Sequence, residues 1–352
     1  MIVIISQEQT MKNLSPIVEP LLEWYRHCKR ELPWRRDREP YHVWISEIML
    51  QQTRIEAVMG YYARFLDSLP DVKSLSEIDN DALMKLWEGL GYYSRARNLK
   101  KAAIMIMQEH GGKFPTTFEE LKKLPGIGEY TAGAIASICF DEKVPAVDGN
   151  VLRVISRVQG SRENVLLPEV KKSVAKKLTS VMPAQPGAFN EALMELGELV
   201  CLPSGAPLCD TCPLKAHCTA CQKNLTAEIP VRVKAVKRRR EDRSVFIITS
   251  PDGRLAIEKR PEKGLLSGLY QLPNTDGFHD DDTLKAILSD QALSPLSVTF
   301  VKEAKHVFTH IDWYMKAYRV EVSHSNGLYL WVTEDELKTA YPLPTAFQKL
   351  LT

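Results

Sequence analysis

The chain has 352 residues, 44% of them hydrophobic and 26% charged, with a formal net charge of +2. That is the make-up of an ordinary soluble protein with room for roughly two domains. So small a net charge says little about partners, because local patches outweigh the sum, and no stretch approaches the roughly 18 apolar residues of a membrane span.

The opening "MIVIIS" is too short for a signal-peptide core and lacks a basic lead. Residues 1–13 therefore read as an N-terminal extension, with Met11 as a second candidate start, and the expected location is the cytoplasm. From residue 14 to 225 the pattern is helical. "SPIVEPLLEWYRHCKREL" sets apolar residues at helical spacing behind a Ser cap and an early Pro. Further helices are predicted over 42–68, 81–89, 94–110, 117–123, 129–139, 150–158, 168–181 and 188–200, joined by short Pro/Gly/Asp turns. Residues 226–243 form a basic connector ending in "VKRRREDR". It reads as a solvated linker, or as a DNA-backbone contact if DNA binding holds elsewhere. Beyond it, "SVFIIT", "RLAIEKR", "LYQLP", "VTFVKEAKHVFTHIDWYMKAYRVEV" and "LYLWVT" are strand-like, and "SPDGR" is a hairpin turn between the first two. Two short helices are predicted at 334–340 and 344–351. The fold class is thus a multidomain one, an all-α domain followed by an α+β domain over 244–352.

Three local features carry chemistry. "LPGIGEYTAGAI", residues 124–135, places glycines in a tight turn that feeds a helix. "AVDGNVLRV" puts Asp148 where a helix N-cap belongs. Five of the seven cysteines fall between Cys201 and Cys221, a crowding that suits metal or cluster binding more than disulfides in a chain without an export signal. The spacing Cys201-x7-Cys209-x2-Cys212-x5-Cys218 offers only one close pair where zinc sites usually present two. Four soft thiolates in one loop suit a 4Fe–4S cluster, with zinc as the alternative and Cys221 as a spare. Cys28 and Cys139 read as inert core thiols.

Together, "LPGIG", "VDGNVLRV" and the cysteine loop resemble the helix-hairpin-helix DNA glycosylases of the endonuclease III superfamily. "PWRRDREPYHVWISEIMLQQTR" and the C-terminal "VFTH" are similar to the MutY-type adenine DNA glycosylases within it. The resemblance covers residues 14–350. It departs in the first cysteine gap, seven residues instead of six, which "LPSGAP" can absorb.

The resemblance implies a base-excision repair enzyme, a hydrolase that removes adenine mispaired with 8-oxoguanine or guanine in duplex DNA. The backbone of Leu124, Gly126 and Gly128 would meet a DNA phosphate at a helix N-terminus. Tyr130 stands where the strand-cutting relatives carry a Schiff-base lysine; a phenol forms no imine, which implies base removal without lyase chemistry. Glu47 would protonate N7 of adenine and activate water, helped by a pKa raised in its apolar setting. Asp148, held ionised, would stabilise the sugar as the bond breaks, with Asn150 supporting it. Gln52 and Tyr92 would enter the duplex around the lesion, and Trp34, Arg35 and Glu191 would line the adenine pocket.

The second domain resembles a Nudix fold without the R-E-x-x-E-E metal box, so it is expected to bind and not to hydrolyse. The motif Phe308-Thr309-His310 replaces the family's Phe-Ser-His and is implied to read 8-oxoguanine, the threonine keeping the hydroxyl. The expected partner is double-stranded DNA carrying A:8-oxoguanine or A:G, the expected cofactor a 4Fe–4S cluster, and the expected state a monomer away from membranes. A bifunctional glycosylase/lyase, a non-catalytic iron–sulfur lesion sensor and a Nudix-type hydrolase are the rival readings.

Overall fold

The structure, a computed structural model, describes residues 13–233 and 238–351. The predicted extension, Asn13 apart, and part of the basic connector lie outside the described residues. The chain divides into two compact units, one from residues up to 76 with 99–234, the other from 77–98 with 235–352. Residues 77–98 thus pack with the C-terminal region, although sequence order suggested the helical domain.

Among the described residues twelve α-helices precede the sheet: α1 (Val18–Cys28), α2 (Pro40–Leu50), α3 (Ile55–Ser68), α4 (Val72–Glu77), α5 (Asn80–Leu86), α6 (Ser94–Glu109), α7 (Phe118–Leu121), α8 (Glu129–Phe140), α9 (Gly149–Gln159), α10 (Pro168–Thr179), α11 (Pro186–Leu199) and α12 (Thr219–Gln222). None of the described helices is long and apolar enough to cross a membrane. The single helix expected over 42–68 is two, broken at residues 51–54, where Gln52 turns left-handed at φ 61°. No Gly or Pro announces the break. A left-handed non-glycine residue costs roughly 1–2 kcal/mol, so tertiary structure imposes it.

In the helical unit α9 is central. Val151, Val154, Ile155 and Val158 are buried with Leu193 and Leu196 of α11 and Leu21 of α1. Each such side chain contributes about 1.5–3 kcal/mol on burial. Asp148 caps the first turn of α9 and Gly160, at φ 68°, ends it in the left-handed conformation. The crossing with α11 is close: a Cβ on Gly197 would sit 2.6 Å from Asn150 Cβ. Helix α2 is buried on nearly every side, Tyr41 and Val43 through Met49 alike. A glutamate at its position 47 therefore has no route to solvent except through a cavity.

The second unit is built on strands β1 (Arg239–Thr249), β2 (Leu255–Lys259), β3 (Tyr270–Gln271), β4 (Asn274–Asp276), β5 (Pro295–Val307), β6 (Ile311–Val322) and β7 (Leu330–Val332), in the order β3-β2-β1-β6-β5 with β4 on β1 and β7 on β2. Strands β1 and β6 run parallel and β5–β6 form an antiparallel hairpin. Residues 239–243 of the predicted connector are therefore strand. Alternation splits the core in two. Val245, Ile247, Trp313 and Met315 face α15 (Thr345–Leu351) with Phe347 and Leu350. Phe246, Ile248, Val320 and Val322 face α13 (Asp281–Asp290) with Leu284 and Leu288. Odd residues point one way and even the other, as a pleated strand requires. Helix α14 (Glu334–Thr339) opens on a capping box between Thr333 and Glu336.

Candidate active site

A cavity of about 1080 Å³ opens in the helical unit between α2, α8, α9 and α11; Glu47, Tyr130, Asp148, Asn150 and Glu191 all line it. Glu47 is buried, and burial pushes its carboxyl up to about 7, with the Asp148 charge adding to the rise. The Tyr130 hydroxyl donates to Glu47 Oε2 at 2.5 Å, which works the other way, and touches Met194 Sδ at 3.2 Å. Burial and the two carboxylates push the Tyr130 phenol well above its ordinary value. It is a fixed donor, not a base.

Asp148 accepts from Val151 N–H at 2.7 Å and from Asn150 Nδ2 at 3.0 Å. Burial raises its pKa, opposed by these donors and by Arg153, so it is not depressed as a simple cap would be. Of the two carboxyls, Asp148 has the helix N-terminus and the amide donors, and Glu47 has one phenol. These donors favour the ionised form of Asp148 more than the single phenol favours that of Glu47. Asn150 is itself held: Nδ2 also donates to Glu198 Oε1 at 3.0 Å, and Oδ1 accepts from Arg153 Nη2 at 2.8 Å.

One wall carries a charge network that sequence reasoning saw only in part. Glu195 accepts from Arg30 N–H, Nε and Nη2 and from Arg35 Nη2, each at 2.9 Å. Although buried, its carboxyl is held near 2 by the two guanidinium groups. Arg35 Nε also approaches Glu191 Oε1 at 3.4 Å, and burial raises Glu191. Arg35 and Glu191 thus sit on the cavity as expected. Trp34 reaches it too, but is a core residue packed edge-on against Tyr62 at 5.3 Å. Arg30, Arg153, Glu195 and Glu198 were missed. Glu191, Glu195 and Glu198 lie at i, i+4, i+7 on α11, a one-face spacing that could have signalled them.

The glycine turn leads into α8 with Gly128 as an N-cap that has no side-chain cap bond. Gly126 is left-handed at φ 79°, and a Cβ on Gly128 would meet open space. Leu124 corrects the sequence expectation: it is buried and its N–H is bonded to Leu121 O at 3.1 Å, so it anchors the turn and has no free amide to offer. Gln52 is exposed at the α2–α3 break and lines the cavity rim. Cys28, expected in the core, is exposed at the end of α1; Cys139 is partly buried, and burial pushes its thiol up to about 12.

In the second unit Tyr92 is 47% exposed and left-handed at φ 48°. Arg95 stacks 5.6 Å from its ring, and its Nη2 donates to Leu90 O at 2.9 Å and Gly91 O at 3.1 Å, which fixes the strained turn. The long run predicted as strand through "HVFTH" breaks at Phe308, Thr309 and His310, the connection between β5 and β6. Phe308 packs on Trp313 at 4.9 Å, whereas Thr309 and His310 are exposed. Thr309 Oγ1 reaches Tyr92 OH at 3.4 Å, so these two sequence-predicted residues meet.

Residues 45–184 match the HhH-GPD superfamily of base excision DNA repair proteins and residues 244–352 the NUDIX domain family. The chain is 34% identical to the adenine DNA glycosylase of Mus musculus over 94% of its own length and 76% of that protein. It is 33% identical to that of Buchnera aphidicola subsp. Baizongia pistaciae, with 95% of each covered. The chain belongs to the adenine DNA glycosylase family. It is accordingly a hydrolase of the N-glycosidic bond. Among solved structures, a thermostable thymine-DNA glycosylase matches at 27% identity and TM-score 0.54, over 59% of this chain and 96% of that one. An endonuclease III trapped on DNA matches at 24% and 0.51, over 60% and 96%, which bears on the fold alone.

In this glycosylase the loop after α11 brings Cys201, Cys209, Cys212, Cys218 and Cys221 around one small cavity, with Arg157 and Lys215. Among the described residues no group of three or more His, Cys, Asp or Glu is placed to hold a single metal ion. A zinc site would need its sulfurs about 2.3 Å from one centre. The donor set suits a larger, soft group bound by thiolates: thiols only, with Arg157 Nη1 donating to Cys201 Sγ at 3.3 Å, where it would offset thiolate charge. A 4Fe–4S cluster is such a group.

Proposed function

We propose that this glycosylase excises adenine opposite 8-oxoguanine or guanine in double-stranded DNA, by hydrolysis and without lyase chemistry. The observation that carries the reading is a pair of buried carboxyls on one cavity, Glu47 at about 7 and Asp148 with helix-terminus donors. That is the division of labour that glycosidic cleavage needs: an acid for the leaving group and an anion near the electron-poor carbon.

The adenosine leaves the stack, at a cost of about a few kcal/mol and less at a mispair, and enters the cavity. Glu47 gives its proton to N7 of adenine and afterwards takes one from the attacking water. Asp148, positioned by Asn150, stabilises positive charge at C1′. Tyr130 orients Glu47. Arg35 and Glu191 line the cavity that takes the base. The backbone at Gly126 and Gly128 accepts a phosphate, and Gln52 enters the duplex. In the second unit Thr309 and His310 present to 8-oxoguanine while Tyr92 inserts beside it. Cys201, Cys209, Cys212 and Cys218 would hold a 4Fe–4S cluster that orders the loop they share. No step of the reaction passes through it. The enzyme works as a monomer on DNA.

Single-turnover excision by Glu47→Gln and Asp148→Asn tests this reading. A general acid contributes about 10²–10⁴-fold, so Glu47→Gln should lose at least that while still binding the duplex. Full excision by Glu47→Gln would sink the mechanism. Loss of DNA binding by the unaltered protein would sink the function.

A further inference from the structure

Five thiols surround a cavity where four are needed. They are not equivalent. Cys201 and Cys212 pack against the helical core. Arg157, itself buried, donates to Cys201 Sγ, and its carbonyl accepts from Cys218 Sγ at 3.5 Å. Cys209 lies apart from these anchors, in a short turn over Cys209–Thr211, and lines the same small cavity as Cys221. Cys221 is no loose neighbour. Helix α12 packs tightly on the end of α9, where a Cβ on Gly160 would fall 2.6 Å from Thr219 Cγ2.

We propose that Cys221 is a fifth ligand-competent thiol, which exchanges with Cys209 at one corner of the cluster. The inference rests on the reading of this loop as a 4Fe–4S site. In the exchange the Cys221 thiol loses its proton to solvent and its sulfur binds iron, while the departing Cys209 thiolate takes up a proton. No electron moves. Cys201, Cys212 and Cys218 are the fixed ligands, and the fourth corner has two candidates held side by side.

The test uses the full chain, loaded anaerobically with iron and sulfide, in four variants: Cys209→Ala, Cys221→Ala, the double variant and Cys212→Ala. Bound iron and the visible absorbance of the cluster are measured. Iodoacetamide alkylation, mapped by mass spectrometry, then reports which thiols the cluster shields. Both Cys209→Ala and Cys221→Ala should retain the cluster, whereas the double variant and Cys212→Ala should lose it. In Cys209→Ala, Cys221 should change from alkylated to protected. A cluster lost from Cys209→Ala in a protein with unchanged far-ultraviolet circular dichroism overturns the proposal. So does a cluster retained there with Cys221 still alkylated. If Cys209→Ala fails to fold, Cys209→Ser is read in the same way. An unaltered chain that takes up no iron refutes the cluster reading itself, a result distinct from either.

Discussion

Replacing Glu47 with glutamine should make the helical unit more stable at neutral and alkaline pH while removing activity. The side chain is buried in α2 and its carboxyl is raised from an ordinary 4.5 to about 7, chiefly by burial. In the unfolded chain the same group titrates near its ordinary value. Below that pH both states are protonated and the residue costs nothing. As pH rises through the interval, the unfolded state releases its proton before the folded state does, so stability falls, and the loss is complete above the folded value. At about 1.36 kcal/mol per pH unit, the cost reaches roughly 3 kcal/mol. Glutamine is close to an isostere of the protonated acid, keeps an oxygen for the Tyr130 hydroxyl, and carries no such penalty. Calorimetric melts of both proteins at pH 5 and pH 8 would show it. The variant's advantage should be small at the lower pH and reach roughly 5–10 °C at the higher one, at about 2–4 °C per kcal/mol. A pH-independent difference, or a less stable variant at pH 8, would refute the claim that Glu47 is a strained, proton-holding group.

Three further outcomes follow from the geometry. Tyr130→Phe removes the donor that lowers the Glu47 pKa, so the alkaline limb of the single-turnover pH–rate profile should move upward; a hydrogen bond to a charged group is worth about 1.5–3 kcal/mol, or roughly one to two pH units. Gly197→Ala puts a Cβ 2.6 Å from Asn150 Cβ and 3.2 Å from Arg153 Nη2; urea titration should show a loss of about 1–3 kcal/mol, and excision should slow as Asn150 shifts from Asp148. Thr309→Ala deletes the hydroxyl at the β5–β6 turn, so preference for A:8-oxoguanine over A:G should fall between about fivefold and a hundredfold in competition assays, the span of 1–3 kcal/mol for a base-edge contact.

The parts of the site that were legible in the sequence are those fixed locally. Asp148 was readable as a cap because Asp-Gly before an apolar-periodic run is a helix start, and the structure has it bonded to the Val151 amide. Glu47 was readable only through the motif around it, "WISEIMLQQT", which resembles the family's; the burial of Ile45, Ile48 and Met49 beside it is what desolvates it. What escaped depends on distant chain segments. Arg30 and Glu195 are 165 residues apart, and nothing near either announces the other. The breaks at Gln52 and at Phe308–His310 contain neither Gly nor Pro, so a continuous helix and a continuous strand were the natural expectations. Strand character at Arg239–Arg243 was hidden by charge; parallel pairing with Ile311–Met315 of β6 supplies what propensity did not. Cys28 was placed in the core on residue type alone, and it falls on the outward face of α1.

The central claim is hydrolytic removal of adenine without strand cleavage. It is tested most directly by single-turnover reactions on end-labelled duplexes with A opposite 8-oxoguanine, guanine or thymine, each analysed with and without hot alkali. Strand breaks should appear only after alkali, fastest opposite 8-oxoguanine, slower opposite guanine and near background opposite thymine. Breaks without alkali would contradict the role given to Tyr130, and equal rates opposite all three bases would contradict the role given to the second unit.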